Sequence, residues 1–190
     1  MRPSSEQIAG LNIAINEATL FGVDLALDRS AMVVELGIVG LPEQGAATHQ
    51  RIRISLFPLH RLAIEYAASD GEARTIRIEE VSELVKAFGG LPIYGWEFFD
   101  GPSSGLAGSS HPLSLDYRRD QEAQGHSLHL FQENAQEAID IYAWFDEIAI
   151  SRPDQQEVEL DVLIAGGKRL WDGIASGDPR TKDTGIERLE

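Results

Sequence analysis

An α+β fold, mostly antiparallel β-sheet in a meander or sandwich-like arrangement, follows from three features of the chain. Apolar and polar residues alternate through much of the first half. The period then lengthens at Val81, Leu84, Val85 and Phe88. A second helical stripe, Leu163, Leu170, Trp171 and Ile174, lies towards the C-terminus. Alternation puts successive side chains on opposite faces of a strand, whereas spacings of three and four share one helix face. One helix is therefore expected near 79–89 and a C-terminal helix near 161–175.

Residues 19–27 alternate weakly, and Asp28-Arg29-Ser30 reads as a turn before the Val- and Ile-rich residues 31–39. Together they predict a β-hairpin. Leu41-Pro42-Glu43-Gln44-Gly45 breaks the pattern, as clusters of Pro and Gly do. Over 50–57, Arg51, Arg53 and Ser55 face one way and Ile52, Ile54 and Leu56 the other. This is a half-buried strand, and Pro58 is expected to end it. Residues 60–68 predict another strand, and Ser69-Asp70-Gly71-Glu72 a tight turn before a strand at 73–78. A meander of about five strands then fills the first half.

Gly89-Gly90 should stop the first helix, since glycine tolerates a left-handed C-cap. A strand over 92–99 follows. The Gly-, Ser- and Pro-rich residues 101–112 form a loop, of a length that is often functional. Residues 126–132 and 138–150 predict a second hairpin. Asp161 is placed to cap the last helix, although Gly166-Gly167 weakens it by about 1 kcal/mol per glycine relative to alanine. The polar residues 177–190 form a tail, frayed or ordered by docking. No linker divides the chain, so residues 1–190 are expected to form a single domain.

Composition narrows the function. With 31 Asp and Glu against 16 Lys and Arg, a phosphate backbone is repelled, so nucleic acid is not an expected partner. No long uncharged apolar run predicts a membrane span, and Asn12, Asn16 and Glu17 interrupt any signal-type apolar block. The absence of cysteine removes thiolate metal sites and cysteine nucleophiles, and fits a reducing, cytoplasmic setting. No metal or other cofactor is expected. The acid is unevenly placed. Between Arg119 and Arg152 there is no Lys or Arg, yet there are seven acids.

Two stretches echo each other: Ile93-Tyr94-Gly95-Trp96 and Ile141-Tyr142-Ala143-Trp144. With their continuations they hold seven of the chain's fourteen aromatic residues. On strands, Tyr94, Trp96, Phe98 and Asp100 would form one face, and Asp140, Tyr142, Trp144 and Asp146 another. In one sheet they would make a surface of aromatics and carboxylates, suited to stacking a sugar or to holding Lys or Arg. The competing reading is a second buried layer, with the acids at its rim. The candidate ligand-binding residues are Tyr94, Trp96, Asp100, Asp140, Tyr142, Trp144 and Asp146.

Other motifs are weaker. Gly101-Pro102-Ser103-Ser104-Gly105 matches a nucleophile elbow, but the residues that follow make a poor helix. His126 and His129 would point to opposite faces of a strand. Glu97 and Asp146 could serve glycoside hydrolysis only if the strands brought them together. The expectation is a non-catalytic acidic binding protein that contacts a basic protein partner, as an inhibitor or immunity-type protein does. The alternative is a small hydrolase or carbohydrate-binding protein that uses the aromatic and carboxylate-lined face. Homo-oligomerisation through strand edges or the last helix is a third reading.

Overall fold

The computed structural model describes residues 1–68, 74–101, 113–119 and 125–185. Its frame is a single eight-stranded sheet, curled into a half-barrel and antiparallel at every pairing. The strands are β1 (Thr19–Leu25), β2 (Met32–Gly40), β3 (Thr48–Ala67), β4 (Leu91–Pro92), β5 (Gly95–Phe99), β6 (Leu115–Arg118), β7 (His126–Glu133) and β8 (Ala138–Ser151). Their order is β4-β1-β2-β3-β8-β7-β5, with β6 also paired to β3. Three helices complete it: α1 (Ser5–Ala14), α2 (Val81–Lys86) and α3 (Leu160–Ser176). The expected α+β class and both expected helices are therefore present. The sheet is one continuous layer, with hairpins β1–β2 and β7–β8.

Pro58 does not end its strand. β3 runs through it, and the register against β8 shifts between Leu59 and Arg61. A bulge absorbs an unpaired position and bends the strand, so the ladder survives a residue that cannot donate. The inward alternation skips on either side of Leu59. Ile52, Ile54 and Leu56 are buried before the bend, then Leu59, and Leu62, Ile64 and Tyr66 after it. The long β3–β8 pair curls there, and the helices pack against the sheet it bends.

The expected strand at 92–99 is broken into β4 and β5, and the break is closed by a side chain. Gln132, fully buried on β7, accepts from the Tyr94 backbone N–H (2.9 Å) and donates Nε2–H to the Pro92 carbonyl (2.8 Å). Asn12 on α1 does the same at β5. It accepts from the Phe98 N–H (2.8 Å) and donates to the Phe98 carbonyl (2.9 Å). Each carboxamide replaces a strand's donor and acceptor. No strand forms at 74–78, where Ile76 N–H instead bonds the Ser114 carbonyl (3.0 Å).

α1 has no counterpart in the periodicity reading, although its N-terminus carries a capping box. Ser4 Oγ accepts from Gln7 N–H, and Gln7 Oε1 accepts from Ser4 N–H. α1 packs on α3 and β5, burying Ile8, Leu11 and Ala14. In α3 the N-cap position falls to Glu159, which makes no side-chain cap, and not to Asp161. Asp161 instead accepts from Gln7 Nε2 of α1 (2.9 Å). α3 ends at Gly177, whose φ of 74° is the left-handed cap glycine favours. It is also tied to the chain after β2: Leu41 N–H donates to the Gly166 carbonyl, and Arg169 Nε–H to the Leu41 carbonyl. Residues 177–185 dock, with Thr181 and Thr184 buried and Ala47 N–H bonded to the Arg180 carbonyl.

Candidate functional site

Register decides which aromatics share a face. Trp96 pairs with Leu130, and Leu130 with Ile141. Trp96 and Phe98 therefore lie on the inner face with Leu128, Leu130 and Ile141, packed into the core. Tyr142 pairs with His129 and Ala63, and Trp144 with Ser127 and Arg61, on the outer face. The two echoing stretches thus place their tryptophans on opposite faces of the sheet. Tyr94 lies in the break before β5, 70% exposed, with its ring edge-on to Phe131 at 6.1 Å.

On the outer face the aromatics form a stack that the protein closes itself. The His129 and Tyr142 rings are parallel within 2°, with centroids 4.4 Å apart. Tyr142 and Trp144 follow at 6.4 Å. The Arg61 guanidinium sits 4.8 Å above the Trp144 ring. Both ends are held by carboxylates. His129 Nε2 lies 2.6 Å from Asp140 Oδ1, and Arg61 donates to both Asp116 oxygens at 2.8 and 3.0 Å. Burial pushes the Asp116 carboxyl up, but hydrogen bonds from Arg61 and Arg118 hold it below its ordinary value. Arg61 thus occupies the cation–π position over Trp144 that a ligand cation would take. Trp144 is 3% and Tyr142 8% exposed, and with Ala63 and Leu113 they form a small outer cluster. Burial pushes the Tyr142 hydroxyl up to about 12, with Asp140 and Glu65 adding to it.

The three candidate aspartates separate, and each meets a histidine. Asp140 joins the stack through His129. Asp146, at the bend of β8, lies 3.0 Å from His60 Nε2. Asp100 faces His126 Nδ1 at 3.2 Å and accepts from Ser5 Oγ. Burial pushes the His126 imidazole below its ordinary value, against the Asp100 charge that raises it. Glu97 pairs with His129, which is level with Tyr142, four residues from Asp146 along β8. That offset is about 13 Å at strand rise. Glycosidase carboxylates stand closer, at roughly 5–9.5 Å. Among the described residues no three His, Asp or Glu side chains group so as to hold a metal ion. The Gly-x-Ser-x-Gly stretch lies, apart from Gly101, outside the described residues.

The accessible part of the outer face lies towards the sheet's β5 edge. Alternation places Glu97, His129, Phe131, Glu133 and Asp140 there, next to the exposed Tyr94, with Glu65 level with Asp140. β4, β5, β7 and β8 contain no Lys or Arg. Sequence reasoning missed His60, Arg61 and Asp116 as partners of the candidate residues. Arg61, Ala63 and Glu65 alternate visibly, but only pairing with β8 sets Arg61 beside Trp144. The chain is thus an α+β protein with an acidic half-sheet that lacks Lys and Arg. No family model matches it, and no curated protein or solved structure is significantly similar to it. No helix among the described residues is long and apolar enough to cross a membrane.

Proposed function

We propose that the protein is a non-catalytic binding protein whose outer face, at the β5–β7–β8 end, contacts a basic protein partner. One observation carries this reading: three adjacent strands without Lys or Arg present Glu97, Glu133 and Asp140 around the exposed Tyr94. A field of one sign speeds encounter with a partner of the opposite sign, and an exposed tyrosine supplies an amphipathic anchor. Trp144 lies beside this surface on the same face, buried under Arg61, and takes no direct part in the contact. A sugar-stacking site needs open rings, and the outer stack offers none to stack on.

The test is capture from native lysate at low and moderate salt, comparing the native chain with Tyr94→Ser and Glu97→Lys. A basic protein retained by the native chain, lost on adding salt and lost with either variant, is the expected result. A partner that ignores salt and both substitutions would overturn the reading, as would no retained protein at all.

A further inference from the structure

A cavity of about 320 Å³ lies between the end of β2 and α3, remote from the acidic face. Its size is at the lower end of small-molecule sites. Ile38, Val158 and Leu163 give it an apolar wall, and Gly166 of α3 contributes backbone where a side chain would find open space. Two arginines, Arg152 and Arg169, also line it.

These arginines differ from most in the chain. Arg29, Arg51, Arg61, Arg77, Arg118 and Arg180 each hold a carboxylate. Arg152 donates to the amide oxygen of Gln156 and Arg169 to the carbonyl of Leu41. Among the described residues no carboxylate lies within ion-pair distance of either. In a chain of 31 acids and 16 bases, two guanidinium groups without an anion at one apolar cavity call for an explanation. A guanidinium has five N–H donors in a fork that matches carboxylate and phosphate oxygens. One neutral oxygen leaves most of that capacity unused. Glu43, the acid in the lining, weighs against a highly charged ligand.

We infer that this cavity is a binding site for a small amphiphilic anion, its carboxylate or phosphate head held by Arg152 and Arg169 and its apolar tail against Ile38, Val158 and Leu163. At about 30 Å³ per water-sized group, the cavity holds a molecule of roughly ten non-hydrogen atoms.

Octanoate matches this size, octyl phosphate is slightly larger with the same tail and the other head group, and 1-octanol and octylamine are their neutral and cationic controls. Each is titrated into the full chain and followed through the amide resonances of Val39, Gly166 and Gly167. At least one anion is expected to shift these resonances and bind at least about tenfold tighter than either control, the scale of a charged hydrogen bond. Which anion binds tighter distinguishes a carboxylate from a phosphate ligand. Arg152→Gln should weaken binding about tenfold. Gly166→Leu should abolish it by filling the space, since a Cβ there has 3.9 Å to its nearest neighbour, the Leu41 carbonyl oxygen. Equal binding of octanol and the anions, unchanged affinity in Arg152→Gln, or no shift at millimolar concentration would overturn the assignment. Arg152 is surface-exposed, so its variant remains informative even if Gly166→Leu does not fold.

Discussion

Tyr142 holds its proton more tightly than a free tyrosine, because burial removes the water that would solvate a phenolate and two carboxylates oppose the charge. The sign of the linkage follows. Below the ordinary value of 10.0 both folded and unfolded chains keep the proton, and the stability is intact. Between 10.0 and about 12 the unfolded chain releases it first, so stability falls as pH rises through that window. Thermal unfolding followed across this range should show the loss in the native chain, and Tyr142→Phe should lack it. A tyrosinate absorbance titration should separate one late-titrating group from the rest. An alkaline profile identical in the two chains would show that the stack does not bury Tyr142. His126 behaves in the opposite sense. Its lowered value favours the neutral ring, so its contribution is present above 6.5 and declines as pH falls below it.

At the scale of elements, the contact between α1 and α3 depends on small residues. A Cβ at Gly167 would come within 2.8 Å of the Ala14 Cβ and closer still to the Ala14 backbone, neither of which can swing aside. Gly167→Ala should therefore cost about 1–3 kcal/mol, the scale of an overpacked core. Gly166→Ala meets nothing nearer than 3.9 Å and should be neutral or stabilising by up to about 1 kcal/mol through helix propensity. Urea denaturation of the two neighbouring variants checks both; equal midpoints would remove the close approach. The same pair shows a limit of one-dimensional reading. Gly166-Gly167 looks like a weakness in a helix until α1 is set against it. α1 itself lacks a clean stripe, because it buries Ile8 and Leu11 yet leaves Ile13 exposed at the α3 side, where its carbonyl accepts from Trp171 Nε1. Pro58 was legible as a break in local pairing, but the bulge that carries β3 past it needs β8 beside it.

At the scale of the molecule, charge and topology pull apart. A net charge of −15 makes the folded chain repel itself. Raising ionic strength from near zero to about 0.15 M, where the screening length falls to about 8 Å, should raise the unfolding temperature. A melting temperature that does not change with salt would mean the acids are too dispersed to matter. The class of fold, the hairpins and the two longer-stripe helices were legible because each rests on local period. The shared aromatic face was not. It required Trp96 to be level with Tyr142 or Trp144, and the ladder sets it level with Ile141, one residue away. An offset of one residue turns a strand's whole side-chain set over. Nothing in the sequence of β5 alone contains that offset.

The carboxamide of Asn12 on the Phe98 peptide has a consequence for how the chain reaches this state. β5 is the last strand of the sheet, and its outward groups are a template on which another extended chain can pair. The cover comes from the first helix, 86 residues away in sequence. A sheet assembled before α1 docks is therefore stickier along β5, and loses the Phe98 donor and acceptor from that edge when the first helix arrives. Self-association during refolding should follow the docking of residues 5–14 more closely than the formation of the sheet.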